Sequence, residues 1–249
     1  MTIPVGDTLR VRKVPVVTWF LIFLNVLVFI YMMSGGTKFF YSIVMKYGMI
    51  PAYIVRGERL YTLITSMFIH GGLLHLVGNM VYLYIFGDNV EAKMGRATYL
   101  LFYILSGIAA AFMHIFVVYN FARPIAVPFT RAADPRYIPC VGASGAISGI
   151  LGAYFVLYPL AGVRVLTFYF FFPVVITVPA YVFLGLWFIY QLLMGTLSIA
   201  YGYFSGVAFW AHIGGFLFGM IAALPFRFRR RRLRRYVIYY PRYYDVPVY

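Results

Sequence analysis

Apolar positions along the chain come in long runs. Val14 to Met33 is apolar apart from Thr18 and Asn25 and ends at Ser34-Gly35-Gly36. A run of about 20 such residues matches the hydrocarbon thickness of a bilayer, so this stretch predicts a first membrane span. It is long enough to be a retained span and is not read as a cleaved signal peptide. Thr37 to Gly72 is mixed, with Lys38, Lys46, Arg56, Glu58 and Arg59 among aromatics and with Pro51 and Gly57 as breaks. Amphipathic pieces of that kind lie in a membrane interface. Leu73 to Phe86 begins a second span, closed by a charged turn from Asp88 to Arg96. A third is expected from Ala97 to Tyr119, followed by a polar, proline-containing loop from Asn120 to Pro139. The fourth, Val141 to Tyr158, is rich in Gly and Ala, and Arg164 marks the next turn. The fifth falls within Leu166 to Met194, broken by Pro173 and Pro179. An uncharged loop from Gly195 to Gly206 leads to the sixth, Val207 to Pro225. No internal repeat or low-complexity linker divides the chain, which reads as one membrane domain over 1–249. Its core is 14–226, and 227–249 is a basic cytoplasmic tail.

Composition sharpens this picture. The 249 residues are 63% hydrophobic and 11% charged, with a mean hydropathy of +0.87. Soluble domains are about half apolar and about a quarter charged, so a water-soluble globule is excluded. The net charge of +15 is concentrated in Arg227, Arg229, Arg230, Arg231, Arg232, Arg234 and Arg235, directly after an apolar run. A cluster in that place fixes topology and contacts anionic lipid headgroups, with no surrounding domain for nucleic acid. An even number of spans puts both termini on one side, with Arg10, Arg12, Lys13, Lys93, Arg96 and Arg164. Arg131 and the first long loop fall on the other. The basic excess makes the first side cytoplasmic, so the protein is expected in the cell membrane. Cys140 is the single cysteine, which excludes an internal disulfide and cysteine-based metal sites. Nothing in the sequence suggests a metal or an organic cofactor.

Polar side chains inside lipid are costly and mark function by default. Of four histidines, His75 lies four residues from Asn79, so both share one helix face. The fourth span opens Gly142-Ala143-Ser144-Gly145, with Ser148 one turn on, and the sixth carries Ala211-His212-Ile213-Gly214-Gly215. Taken alone, Ser144 fits a serine bonded back to its own helix, and His212 fits a packing or proton-relay group. Gly145 with Gly149, and Gly215 with Gly219, are small-residue pairs that let two helices approach closely. Such pairs also occur as plain packing devices. Close contact between these two helices would bring the Ser144 hydroxyl to the His212 imidazole. A hydroxyl becomes a nucleophile when a base accepts its proton, and acyl transfer needs donors for the oxyanion. Ser144 begins a helix, where backbone N–H groups are unpaired, and His75 and Asn79 stand as side-chain donors. The fourth and sixth spans contain no acidic residue, so a two-residue arrangement is expected, with aromatic packing orienting the imidazole.

At these residues the sequence resembles the rhomboid family of intramembrane serine proteases. The resemblance runs from Gly57 to Gly219 and is carried by three segments in order. They are His70-Gly71-Gly72-Leu73-Leu74-His75-Leu76-Val77-Gly78-Asn79, Gly142-Ala143-Ser144-Gly145, and Ala211-His212-Ile213-Gly214-Gly215 with Gly219. It implies an all-α, six-helix membrane bundle with an interfacial first loop and a dyad below the outer membrane surface. Ser144 would be the nucleophile and His212 the base, with His75 and Asn79 completing an oxyanion hole with Ser144. Single-span membrane proteins would be the substrates. Gly87-Asp88-Asn89-Val90-Glu91 also fits the family pattern as a turn, whereas Tyr61-Thr62 stands where many relatives carry Trp-Arg. Two other classes stay open on the residues: a non-catalytic binder of membrane helices, and a transporter lined by His75, Asn79 and His212. The transporter reading would call for repeated halves and intramembrane carboxylates. His70 reads as a brace for the first loop and His114 as a packing residue.

Overall fold

The computed structural model describes residues 3–9, 13–122, 134–202 and 206–228. The chain runs from strand β1 (Ile3–Asp7) into helix α1 (Val16–Ser34). The first loop follows as α2 (Gly36–Tyr47), α3 (Pro51–Val55), α4 (Thr62–Thr65) and a 3-10 turn, Ser66–Phe68. Helices α5 (Leu73–Met94), α6 (Arg96–Phe121) and α7 (Ser144–Leu157) come next. Strands β2 (Gly162–Tyr169) and β3 (Phe172–Pro179) precede α8 (Ala180–Tyr201) and α9 (Phe209–Arg227).

The architecture is a helical bundle. Among the described residues, α1, α6, α8 and α9 are each long and apolar enough to cross a bilayer, and α5 with its bent lead-in Thr62–Phe68 makes a fifth candidate. Helix α7 is shorter. Its 14 residues rise about 21 Å, against about 30 Å of hydrocarbon. It is nevertheless the centre of the bundle, with Ile150, Leu151, Ala153 and Tyr154 fully buried among α5, α6 and α9. Glycine makes that centre possible. A Cβ at Gly215 would run into the Gly145 carbonyl oxygen, one at Gly219 into the Gly149 carbonyl, and one at Gly152 into the Phe216 carbonyl. The backbones of α7 and α9 are therefore in contact, side by side and parallel. The α7 pair also faces α6, because Gly145 packs on Ala110 and Gly149 on Ser106.

Four boundaries differ from the sequence reading, each for a physical reason. Leu166 to Pro179 is not part of the fifth span. It belongs to an antiparallel hairpin whose register runs from Gly162↔Pro179 to Tyr169↔Phe172, and β1 pairs with β2 on its other edge. An apolar run does not by itself distinguish strand from helix; here Val174-Val175-Ile176-Thr177-Val178 is β-branched throughout, which favours a strand. The fifth span starts at Ala180 and continues into the expected loop as far as Tyr201. Gly195 is a packing glycine there, since a Cβ would press on Phe209 and the Trp210 indole, whose Nε1 donates to the Gly195 carbonyl at 3.1 Å. The segment from Asp88 to Met94 is helical and not a turn, so Gly87 to Glu91 lies inside α5. Chain reversal falls on Gly95, whose φ of 88° suits a residue without a side chain. The segment ahead of the first span, for which no element is read from the sequence, contributes strand β1.

The polar groups along the end of α5 are all used. The Glu91 carboxylate accepts from the Val17 N–H at 3.1 Å, the Thr18 N–H at 2.8 Å and the Thr18 hydroxyl at 2.8 Å. It thereby caps the N-terminus of α1, which has no cap of its own. Asp7 accepts from the Tyr154 hydroxyl at 2.6 Å and from Asn89 Nδ2 at 2.9 Å, tying the sheet to α7 and α5. Lys93, Arg96 and Arg164 belong to this same end of the bundle, and α9 finishes there at Arg227. Arg10, Arg12, Arg131 and the tail beyond Phe228 lie outside the described residues.

At the opposite end the first loop is held without a Trp-Arg pair. The Tyr61 hydroxyl donates to the Lys46 carbonyl at 3.1 Å, Thr65 Oγ1 to the Tyr47 carbonyl at 2.8 Å, and the Gly142 N–H to the Ser66 carbonyl at 2.9 Å. The last bond joins the loop to the segment that leads into α7.

Candidate active site

Ser144 is the first residue of α7 and His212 lies in the first turn of α9. Because the two helices run parallel in backbone contact, their starting ends are level. Ser144 Oγ and His212 Nε2 are 2.8 Å apart, an ordinary hydrogen-bond distance. The two residues stand 68 positions apart in the chain. Both are half-buried and open onto one cavity of about 950 Å³.

Gly142 prepares the start of α7. Its φ of +121° is a conformation that side chains avoid, and a Cβ there would meet the His75 ring at 2.7 Å. His75 and Asn79 therefore lie against the turn just before Ser144, one helical step apart on α5, and both line the cavity. The Asn79 side chain is buried, and its Nδ2 has no hydrogen-bond partner among the described residues. The His70 ring meets the His75 ring edge-on, with centroids 5.2 Å apart, so His70 backs the cavity wall. The Ser148 hydroxyl turns back to the Ser144 carbonyl at 2.6 Å and takes no part.

Three cavity residues were missed in the sequence. His114 of α6, read as a packing residue, lines the cavity with His75 and His212. On α8, Gln191 Oε1 lies 2.9 Å from His212 Nδ1, and the Trp187 ring lies over the imidazole with centroids 6.0 Å apart. Gln191 could have been found, since an amide within an apolar span is costly unless bonded. His114 could not, because its face depends on how α6 is rotated in the bundle. Cys140 also borders the cavity, but burial pushes its thiol up to about 11, so it stays protonated near neutral pH and is no rival nucleophile. Among the described residues no group of three or more His, Cys, Asp or Glu could hold a metal ion.

A hydroxyl in contact with an imidazole, on the wall of a cavity inside a membrane helix bundle, defines a class of integral membrane protein built around a buried polar site. A rhomboid domain is matched over residues 57–229, more than half of the chain, and the chain belongs to the rhomboid family. It is 32% identical over 183 residues to RHOMBOID-like protein 12, mitochondrial, of Arabidopsis thaliana, covering 72% of this chain and 49% of that protein. It is 30% identical over 147 residues to the rhomboid protein YdcA of Bacillus subtilis (strain 168), covering 58% and 63%. It is also 30% identical over 107 residues to inactive rhomboid protein 1 of Drosophila melanogaster, covering 43% and 6%. The chain thus spans about half the length of the first of these relatives.

Proposed function

We propose that this protein is an intramembrane serine endopeptidase, with Ser144 as nucleophile and His212 as general base. The observation that carries this reading is the 2.8 Å contact between Ser144 Oγ and His212 Nε2 beside a cavity large enough for a peptide segment. In the reaction, His212 Nε2 takes the hydroxyl proton as Ser144 Oγ bonds to the scissile carbonyl carbon. The carbonyl oxygen becomes an oxyanion, stabilised by the unpaired N–H groups at the start of α7 and by Asn79 Nδ2 and His75. The imidazolium returns the proton to the departing amine as the C–N bond breaks. Water, deprotonated in turn by His212, then releases the acyl group from Ser144.

The substrates are single-span membrane proteins that approach alongside α8. In that helix 17% of the most apolar stretch is buried, against 50% in α6, so α8 is peripheral and the easier to displace. A helical substrate hides its carbonyls, so the cleaved segment must unwind, and residues of low helix propensity assist this. The shortness of α7 favours a dyad beneath the membrane surface and not at it. We assign both termini to the cytoplasmic side of the cell membrane, because Lys93, Arg96, Arg164 and Arg227 share one end of the bundle. The basic tail there contacts anionic headgroups. The Arabidopsis relative is named as mitochondrial, and imaging of a tagged protein separates the two membranes.

Purified protein in detergent or lipid is expected to cleave a transmembrane substrate, and Ser144→Ala to abolish cleavage. Normal cleavage by that variant ends this account. The Drosophila relative is named as inactive, and a non-catalytic binder is the second reading. It predicts no labelling by a fluorophosphonate, whereas the protease predicts labelling that is lost in His212→Ala.

A further inference from the structure

The hydroxyl of Ser144 uses one nitrogen of the His212 ring, and the other nitrogen is also occupied. A neutral imidazole has one donor nitrogen and one acceptor nitrogen. For Nε2 to accept the Ser144 proton at 2.8 Å, the ring hydrogen must sit on Nδ1. Nδ1 faces the carbonyl oxygen of the Gln191 amide at 2.9 Å. A single tautomer therefore satisfies both contacts. The opposite tautomer would point an N–H at Ser144, leaving no acceptor for the hydroxyl proton, and would need the Gln191 amide turned to present its NH2 to Nδ1.

Among the described residues, no other group on the neighbouring helices does this work. On α7, the side chain one turn after Ser144 is Ser148, whose hydroxyl is bonded to the Ser144 carbonyl. The cavity beside His212 is also lined by His75 of α5 and His114 of α6, and among the described residues no carboxylate lines it. Gln191 is 4% exposed, which is low for an amide on a peripheral helix. Trp187 precedes it by one turn on the same face of α8 and covers the imidazole. One helix thus supplies both an in-plane acceptor and a cover for the ring.

We propose that Gln191 is a positioning residue for the His212 base, its amide carbonyl holding the Nδ1–H tautomer and facing the imidazolium formed as Ser144 gives up its proton. This assignment rests on the serine-protease reading. It places the orienting role on an uncharged amide, where other serine hydrolases use a carboxylate.

The test compares Gln191→Met, which keeps chain length and removes the acceptor, with Gln191→Glu, which keeps an acceptor at the same reach. Both are purified in detergent and checked by thermal unfolding. For a transmembrane substrate, Gln191→Met is expected to lower kcat about 10- to 100-fold with KM nearly unchanged. Gln191→Glu is expected to recover most of that loss. Nitrogen-15 NMR of the His212 ring should report hydrogen on Nδ1 in the unmodified protein and a mixture of tautomers in Gln191→Met. A folded Gln191→Met protein with unmodified kcat and tautomer overturns the assignment alone. Absence of both cleavage and fluorophosphonate labelling in the unmodified protein overturns the protease reading, and this assignment with it.

Discussion

Asn79 holds a buried amide nitrogen that has no hydrogen-bond partner among the described residues. An unpaired buried donor costs about 1–3 kcal/mol, and it persists here beside Ser144, where a developing oxyanion would pair with it. Asn79→Ala is accordingly expected to lower kcat about 100-fold with little change in KM, since an interaction made only in the transition state is what is lost. Steady-state cleavage of a transmembrane substrate checks this, and a matched rise in KM would assign Asn79 to substrate binding instead. The residues of the site were readable to different depths. Ser144, His212, His75 and Asn79 stand out as polar groups in apolar runs. Gln191 satisfies the same criterion but has no partner at helical spacing, so only the packing of α8 on α9 reveals its target.

Helices α7 and α9 owe their alignment to glycine. With backbone carbonyls where a Cβ would sit, Gly215 and Gly219 have no tolerance for a methyl group. Gly215→Ala is expected to cost at least about 1–3 kcal/mol through overpacking and to lower the unfolding temperature in detergent. It should also reduce cleavage, because any separation of the helices lengthens the Ser144–His212 contact. Gly78 supplies the control. A Cβ there meets nothing within 4 Å, so Gly78→Ala should be neutral or slightly stabilising, as helix propensity alone dictates. Equal unfolding temperatures for the two variants would contradict the assigned interface. The fifth span shows the limit of reading an element from hydropathy. Leu166 to Pro179 and Ala180 to Met194 are both apolar, yet the first folds into the β2–β3 hairpin and the second forms a helix.

Across the whole molecule, two ends divide the work. Loop, cavity and Ser144–His212 pair occupy one, while the other closes the bundle through Glu91, Asp7, Asn89 and Tyr154. Tyr154 is ten residues beyond Ser144, about 15 Å along the axis of α7. Glu91→Gln replaces a carboxylate surrounded by three donors with an amide that presents a donor of its own. A loss of about 1–3 kcal/mol of stability is expected, with kcat per folded molecule unchanged. Unfolding temperature and active-site titration with a fluorophosphonate separate these two effects. A fall in kcat without a fall in stability would mean that the two ends are coupled.

Hydropathy along the chain determined the membrane class, the order of the helices and the first four polar residues of the site. Lipid makes each of those properties local, because a span must be long and apolar and a polar group within it is conspicuous. Tertiary structure alone decided the pairing of β1 with a distant hairpin, the cap that Glu91 gives to α1, and the meeting of His212 with Gln191. Each of these joins groups far apart in sequence, through orientations that only packing sets.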